Sequence, residues 1–308
     1  MFLKALKIIA IVLTAFLLLA ALYLWTPDKS KAELEKIYGS PKTAYVSALG
    51  VKIHYQDTGP SKNSIPILFL HGFGSSLQTW DKWSEDLSDE YRVISVDLPG
   101  FGLTGEDPTG IYTDARSVEV LEAFLRELQI PKVVLAGNSM GGKFAWQFAA
   151  RYPNQVAKLV LISPDGYASP GIEYGKKPNV PAIAELYRYF FSKTFLAMNL
   201  EPAYANPSTL NDSLVNRYYD LMLAPGVRGA ILARMQQTVL QDPVPSLTAI
   251  KVPTLLIWGE KDAFIPIANS NDYLKVMPNA KRVSLPNIGH LPQEEQPTIG
   301  LAALKEFL

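Results

Sequence analysis

The 308-residue chain contains no cysteine and only three histidines, His54, His71 and His290. The lack of cysteine excludes a disulfide framework, a thiolate nucleophile and a cysteine-ligated zinc or iron–sulfur centre. Three histidines also leave little room for a histidine-rich metal site. We therefore expect no bound metal.

Neither sign of charge is in excess, because 29 Lys and Arg residues balance 29 Asp and Glu residues. Without a dense basic stretch the chain lacks the electrostatic footprint that a phosphate backbone requires, so nucleic acid is not an expected partner. A hydrophobic content of 48% is too high for a disordered chain. The composition predicts a folded globular protein.

One long apolar segment stands at the start of the sequence. Lys4 and Lys7 precede an uncharged run over residues 8–25, which as a helix spans roughly 27 Å, close to the ~30 Å hydrocarbon core of a bilayer. A cleaved signal peptide is the alternative, although its apolar region is usually shorter and ends at small residues. Tyr23 and Trp25 instead suit an interfacial aromatic belt. We expect an uncleaved membrane anchor.

The basic residues that flank this run bear on its orientation. Lys4, Lys7 and the terminal amine favour a cytoplasmic N-terminus, which places the remaining chain outside the cytoplasm, in the periplasm if the source is bacterial. Lysines on the far side oppose this orientation: Lys29, Lys31 and Lys36. We assign residues 1–27 to the anchor and residues 28–42 to a charged tether.

Short apolar runs alternate with amphipathic stretches through most of the remaining sequence. Residues 43–49 and 51–57 predict an antiparallel hairpin. Six nearly continuous apolar runs predict strands buried on both faces: residues 65–70, 92–97, 132–136, 158–163, 254–258 and 281–285. Residues 113–129 have the apolar spacing of a helix. The pattern predicts an α/β fold with a mostly parallel sheet covered by helices on both faces.

The alternation stops over residues 167–245, which are too many for an ordinary loop. Helix-like segments at 181–200, 209–223 and 227–240 predict a helical cap inserted between two parts of the core, residues 43–166 and 246–308. The cap contains an aromatic cluster: Tyr187, Tyr189, Phe190, Phe191 and Phe195. These rings either form the core of the cap or line an acyl pocket.

A glycine–x–serine–x–glycine motif, Gly137 to Gly141, follows a predicted strand and opens a predicted helix at residues 143–152. Small residues on each side of Ser139 permit the strained strand-to-helix turn that exposes a nucleophilic hydroxyl. The motif alone is weak evidence, since an ordinary tight turn can also contain a serine. Its context predicts Ser139 as a nucleophile.

A serine nucleophile needs a base, and the base needs an orienting acid. His54 lies in a predicted strand with no nearby acid in the sequence, and His71 is expected to brace the loop that follows its strand. His290 remains as the base, in a turn after the last predicted strand. Asp262 is the preferred acid and Asp165 the alternative, and both follow predicted strands.

The oxyanion of an acyl-transfer reaction needs hydrogen-bond donors. We expect the backbone N–H groups of Phe73 and Met140 to supply them. Phe73 lies in a loop after a strand, between Gly72 and Gly74, and Met140 begins the helix after Ser139.

Together these motifs resemble the serine hydrolases of the α/β-hydrolase fold, over about residues 43–308. The residues that carry the resemblance are His71 to Gly74, Asp97 to Gly102, Gly137 to Gly142, Trp258 to Asp262, and Gly289 with His290. The resemblance implies a Ser139–Asp262–His290 triad. Aspartate replaces the elbow serine in epoxide hydrolases and dehalogenases of similar shape, so those are disfavoured.

Within that family, the turn at Gly137 to Gly142, which is called the nucleophile elbow, is similar to the corresponding turn of two groups of enzymes. The first group is bacterial lipases and esterases, including membrane-anchored monoacylglycerol-lipase-like enzymes. The second is hydrolases that cleave carbon–carbon bonds of aromatic ring-fission products. The latter usually carry tryptophan after the histidine and a Gly-Pro-Gly oxyanion loop, where this chain has Leu291 and Gly74-Ser75-Ser76. The resemblance thus implies a cofactor-independent hydrolase of lipid-like or small-molecule acyl esters, held at a membrane by residues 8–25. Serine perhydrolase activity and a catalytically silent binding role are further alternatives.

Overall fold

A computed structural model of the chain describes residues 2–60, 65–168 and 173–308. Residues 61–64 of the predicted core and 169–172 of the predicted cap lie outside the described residues.

In the described part of the chain, eight strands form one sheet in the order β1-β2-β4-β3-β5-β6-β7-β8. The first two strands form the predicted antiparallel hairpin, β2 also runs antiparallel to β4, and all other neighbouring strands are parallel. The strands are β1 Thr43–Ala48, β2 Val51–Thr58, β3 Ile67–Leu70, β4 Val93–Val96, β5 Val133–Asn138, β6 Val156–Ile162, β7 Thr254–Gly259 and β8 Ala280–Leu285. The mostly parallel sheet is therefore confirmed.

Helices follow the strands and supply the layers on each side of the sheet. The α-helices are α1 Phe2–Leu24, α2 Lys31–Tyr38, α3 Asp81–Leu87, α4 Asp114–Glu127, α5 Met140–Arg151, α6 Lys193–Leu200, α7 Asp212–Met222, α8 Val227–Gln237, α9 Val244–Ala249, α10 Ser270–Val276, α11 Pro292–Glu295 and α12 Pro297–Phe307. The predicted helix at 113–129 is α4, whose N-terminus is capped by the Thr113 hydroxyl.

Alternate residues of the central strands point into two separate hydrophobic layers. Leu68 of β3 packs in the layer that contains Phe124 of α4 and Phe144 of α5. The next residue, Phe69, packs in the opposite layer, with its ring centroid 6.0 Å from that of Trp83. Burial on both faces explains why these strands read as continuous apolar runs.

The cap region lacks strands in its described residues and contains α6, α7 and α8. The segment predicted as one helix over 181–200 is a 3-10 stretch, Ala182–Arg188, followed by a break and then α6. The break arises because the Ser192 hydroxyl accepts a hydrogen bond from the Phe195 N–H and so starts a new helix.

Helix α1 is long and apolar enough to cross a membrane, judged by length and composition over Lys4–Leu24. A signal sequence would pass the same test. Trp25 lies one residue beyond the end of α1, and its ring stacks on Tyr189 of the cap at 5.2 Å.

Residues 25–38, which we call the linking segment, pack against the cap and the sheet domain. The Thr26 N–H donates to Tyr189 O at 2.8 Å, and Asp28 pairs with the buried guanidinium of Arg228 at 2.6 Å. Leu34 of α2 is fully buried. This part of the predicted tether is therefore fastened to the globular domain.

Candidate active site

Ser139 occupies the sharp turn between β5 and α5, with φ +54° and ψ −119°. Close packing explains the small residues on each side of it. A Cβ atom on Gly137 would lie 2.3 Å from Gly141 O, and one on Gly141 would lie 2.3 Å from Leu70 O. Ser139 is therefore held in a strained conformation at the carboxyl edge of the sheet.

Asp262 and His290 meet at the same edge. Asp262 follows β7, His290 follows β8, and Asp262 Oδ2 lies 2.8 Å from His290 Nδ1. The other oxygen, Asp262 Oδ1, accepts the N–H groups of Phe264 and Ile265, each at 2.9 Å. Both side chains are buried. The carboxylate is thus fixed by its own loop and presents one oxygen to the imidazole.

The backbone of His290 is tied to the strand that carries Ser139. Asn138 Nδ2 donates to His290 O and to Ile162 O, each at 3.1 Å. From the cap side, the His290 N–H donates to Ala203 O at 2.7 Å. Within the described ranges no hydrogen bond joins Ser139 Oγ to His290; such contacts often tighten only when substrate is bound.

The two predicted oxyanion donors lie in the loop after β3 and at the start of α5. Met140 is the first residue of α5, where the backbone N–H has no acceptor within its own helix. Phe73 is half-exposed, and its ring contacts Phe101 at a centroid distance of 5.7 Å. Both residues line the cavity that contains Ser139.

His71 braces the loop that carries Phe73, as expected from the sequence. The Leu98 N–H donates to His71 Nε2 at 3.0 Å, so Nδ1 carries the proton and donates to Gly72 O at 2.7 Å. Burial lowers the pKa of His71 below its ordinary value, partly offset by the carboxylate of Asp97. The imidazole is therefore neutral, and both of its ring nitrogens form hydrogen bonds with backbone groups.

The expectation that His54 has no nearby acid is wrong. His54 Nδ1 lies 2.7 Å from Asp97 Oδ2, and both residues are fully buried. The physical reason is the antiparallel pairing of β2 with β4, which places the residue after β4 opposite His54. Asp97 also accepts the N–H groups of Leu77 and Leu103, so the pair ties strand β2 to the loops that follow β3 and β4.

Asp165, the alternative acid, contacts Lys143 in place of a histidine, at 3.1 Å. Lys143 also lies 3.2 Å from Asp114 Oδ2. All three side chains line the cavity beside Ser139, which has a volume of about 280 Å³.

The aromatic cluster of the cap lies elsewhere. Phe191 is buried and stacks on Tyr219, Tyr189 stacks on Trp25, and Phe195 is exposed. The apolar wall of the cavity beside Ser139 is formed by other residues, which are Phe73, Met140, Met235 and Ile265.

Sequence reasoning missed two residues that hold the site. Asn138 stands inside the elbow motif, so its position was a signal, but its link to His290 spans 152 residues. Glu295 accepts the N–H groups of Gly289 and Asn206, each at 2.7 Å, and so fastens the His290 turn to the cap. Nothing in the local sequence around Glu295 indicates this role.

The fold and the elbow define the class of the protein. The model of the α/β-hydrolase fold family matches residues 65–297, and the chain belongs to this family.

Relatives within the family differ in the chemistry that their names state. The chain is 31% identical to the 2-hydroxy-6-oxononadienedioate/2-hydroxy-6-oxononatrienedioate hydrolase of Paraburkholderia phymatum, over 84% of this chain and 91% of the relative. It is 26% identical to Lipase 1 of Psychrobacter immobilis, over 80% and 78% respectively. Among solved structures, a thermophilic esterase from Thermogutta terrifontis is 27% identical, with a TM-score of 0.70 over 86% of this chain and 97% of that one.

Proposed function

We propose that the chain is a serine hydrolase that cleaves carboxylic esters through an acyl-enzyme. The observation that carries this proposal is the hydrogen bond between Asp262 and His290 at the sheet edge where Ser139 occupies its strained turn. The similarity to a lipase and to an esterase supports ester chemistry.

In the first half of the reaction, Ser139 Oγ attacks the ester carbonyl carbon and His290 Nε2 takes the serine proton. Asp262 keeps the Nδ1 proton directed at its carboxylate and stabilises the imidazolium. The N–H groups of Phe73 and Met140 donate to the oxyanion, a contribution worth about a hundredfold or more in rate per donor. His290 then protonates the departing alcohol.

In the second half, His290 accepts a proton from water, and the resulting hydroxide attacks the acyl carbon. Collapse of the second tetrahedral intermediate returns the proton to Ser139 and releases the carboxylic acid. No step requires a metal or an organic cofactor.

The test is hydrolysis of nitrophenyl acyl esters of graded chain length, together with labelling by a fluorophosphonate probe. We expect Ser139→Ala to abolish both turnover and labelling. An exposed serine, Ser208, offers the matched control Ser208→Ala, which should leave both unchanged. Wild-type turnover in Ser139→Ala would refute the mechanism.

Carbon–carbon hydrolysis of a ring-fission product is the second candidate function, favoured by the 31% identical relative. The same triad would serve, but the dienone substrate would be cleaved between carbon atoms. The disappearance of dienone absorbance at a rate above that of ester cleavage would establish this activity in place of the esterase.

We further propose that α1 anchors the chain in a membrane, with residues 1–27 as anchor, 43–166 and 246–308 as the catalytic core, and 167–245 as the cap. The length and apolarity of α1 support this proposal. The two lysines before the apolar run favour an extracytoplasmic core. Protease treatment of spheroplasts should digest the core, and its protection would contradict this orientation.

A further inference from the structure

The cavity beside Ser139 has an apolar wall and a charged end, and the charged end is unusual for a site that accepts only hydrocarbon. We call the part formed by Asp114, Lys143, Asp165 and Arg234 the polar recess. At about 280 Å³ the whole cavity is slightly below the usual range of about 300–1,000 Å³ for small-molecule sites. A substrate group of moderate size therefore fills it and reaches the recess.

Lys143 lies one helical turn after Ser139, and its N–H donates to Ser139 O at 3.0 Å. Residues four apart share one face of a helix, so its side chain rises beside the nucleophile. The side chain is 5% exposed. Burial alone would lower the pKa of Lys143, but the carboxylates of Asp165 and Asp114 outweigh it and raise the pKa. The recess therefore contains an ammonium group.

This ammonium has three N–H donors, and the two carboxylates account for two of them, at 3.1 Å for Asp165 and 3.2 Å for Asp114. One donor remains for a ligand.

Arg234 enters the recess from helix α8 of the cap and is 3% exposed. Its two terminal nitrogens donate to Tyr112 O, Ser117 Oγ and Pro99 O, at 3.0 to 3.3 Å. Among the described residues, Arg234 Nε has no hydrogen-bond partner, and neither has the buried Asp114 Oδ1. Buried polar atoms of this kind usually have partners. Both residues line the recess, and each brings to its wall one polar atom without a partner in the described part of the chain.

The charges of the recess are balanced, since two cations face two carboxylates. A third anion brought into this space would be repelled by Asp114 and Asp165 as well as attracted by the cations. A neutral group that both accepts and donates hydrogen bonds suits the recess better. An aliphatic hydroxyl is the simplest such group.

We propose that the polar recess binds a hydroxyl group of the ester substrate, and that the enzyme selects hydroxyl-bearing esters over their alkyl and carboxylate counterparts. This inference rests on the proposed ester hydrolysis. The hydroxyl can belong to the acyl chain or to the alcohol, as in a glyceryl ester, and the chemistry of recognition is the same. An alkyl group in the recess would leave buried donors unpaired.

We expect a preference of about ten- to a hundredfold in kcat/KM, the range for hydrogen bonds to charged groups. A fully closed site can discriminate more strongly. Asp165 is 39% exposed, so water reaches the recess and reduces the penalty for an alkyl group.

The first experiment uses the unaltered full-length chain and three nitrophenyl esters whose acyl groups each contain six carbons, the hexanoate, the 6-hydroxyhexanoate and the 5-carboxypentanoate. A parallel arm compares 1-hexanoylglycerol with propyl hexanoate. Preference for the hydroxy acid assigns the hydroxyl to the acyl chain, and preference for the glyceryl ester assigns it to the alcohol. Equal rates in both arms, or fastest cleavage of the carboxylate, would overturn the proposal. Absence of all ester cleavage would instead refute the proposed function.

The second experiment removes the ammonium group with Lys143→Met, which retains an unbranched side chain. We expect the hydroxyl preference, which is kcat/KM for the 6-hydroxyhexanoate divided by kcat/KM for the hexanoate, to fall to about one. If Lys143 had a purely structural role, the substitution would reduce kcat/KM for both substrates by the same factor, and that result would count against the proposal. Lys82→Met, at an exposed lysine on α3, is the matched control. If Lys143→Met does not fold, the substrate series on the unaltered chain decides the question.

Discussion

The strained turn at Ser139 makes a quantitative prediction about stability as well as activity. At φ +54° and ψ −119° a residue with a Cβ atom is strained. Glycine has no Cβ atom and adopts these backbone angles without that strain. Ser139→Gly and Ser139→Ala should both abolish hydrolysis, but the glycine variant should be the more stable of the two.

The magnitude follows from two opposing terms. Strain at such a position amounts to about 1–3 kcal/mol, and glycine loses about 0.5–1 kcal/mol through the greater entropy of its unfolded chain. The difference leaves Ser139→Gly about 1 kcal/mol more stable than Ser139→Ala, within extremes of about 0 and 2.5 kcal/mol. For a chain of this size that difference corresponds to a rise of a few degrees in Tm.

The assay is thermal or urea unfolding of the two variants under the same conditions. Ser88 provides the matched control because its backbone is ordinary, with φ −69° and ψ −10° at the end of α3. There the order should reverse, with Ser88→Ala more stable than Ser88→Gly. An alanine variant at position 139 that equals or exceeds the glycine variant would refute the claim of strain.

Three further predictions concern the supports of the site. Asn138→Ala removes two hydrogen bonds of about 1 kcal/mol each. We therefore expect kcat to fall about tenfold or more with little change in KM, and the pH–rate profile to be displaced. An unchanged profile would argue against a positioning role for Asn138. The folded state lowers the pKa of His71, so its contribution to stability is complete above the unfolded pKa of about 6.5 and declines as the pH falls below it; urea midpoints at pH 7.5 and 5.5 should show this decline, which His71→Asn should flatten. Finally, a chain that begins at Trp25 should keep the contacts that Thr26 and Asp28 make with the cap. A chain that begins at residue 39 should have a lower Tm and faster proteolysis of the cap. Equal proteolysis of the two chains would show that the linking segment does not support the cap.

The sheet could be predicted from the sequence because its strands are buried on both faces and therefore read as uninterrupted apolar runs. The Ser139 turn could also be predicted, because the close approach of backbone groups at Gly137 and Gly141 restricts which residues fit there. Both features leave local signals.

Contacts between distant parts of the chain left no such signal. The pairing of His54 with Asp97 depends on which strands become neighbours in the sheet, and the placement of Lys143 between Asp114 and Asp165 depends on the packing of α4 against α5. The cap helices were located approximately, but the break before Ser192 was not, because a single capping hydroxyl decides it.

The fastening of the linking segment to the cap also has a consequence for biosynthesis. Asp28 and Arg228 are separated by 200 residues, so the partner of this N-terminal aspartate is among the later parts of the chain to be made. At about 5–20 residues per second, translation leaves the segment without its partner for roughly 10–40 s. During that interval the first helix is free to enter a bilayer before the cap exists to hold the residues that follow it.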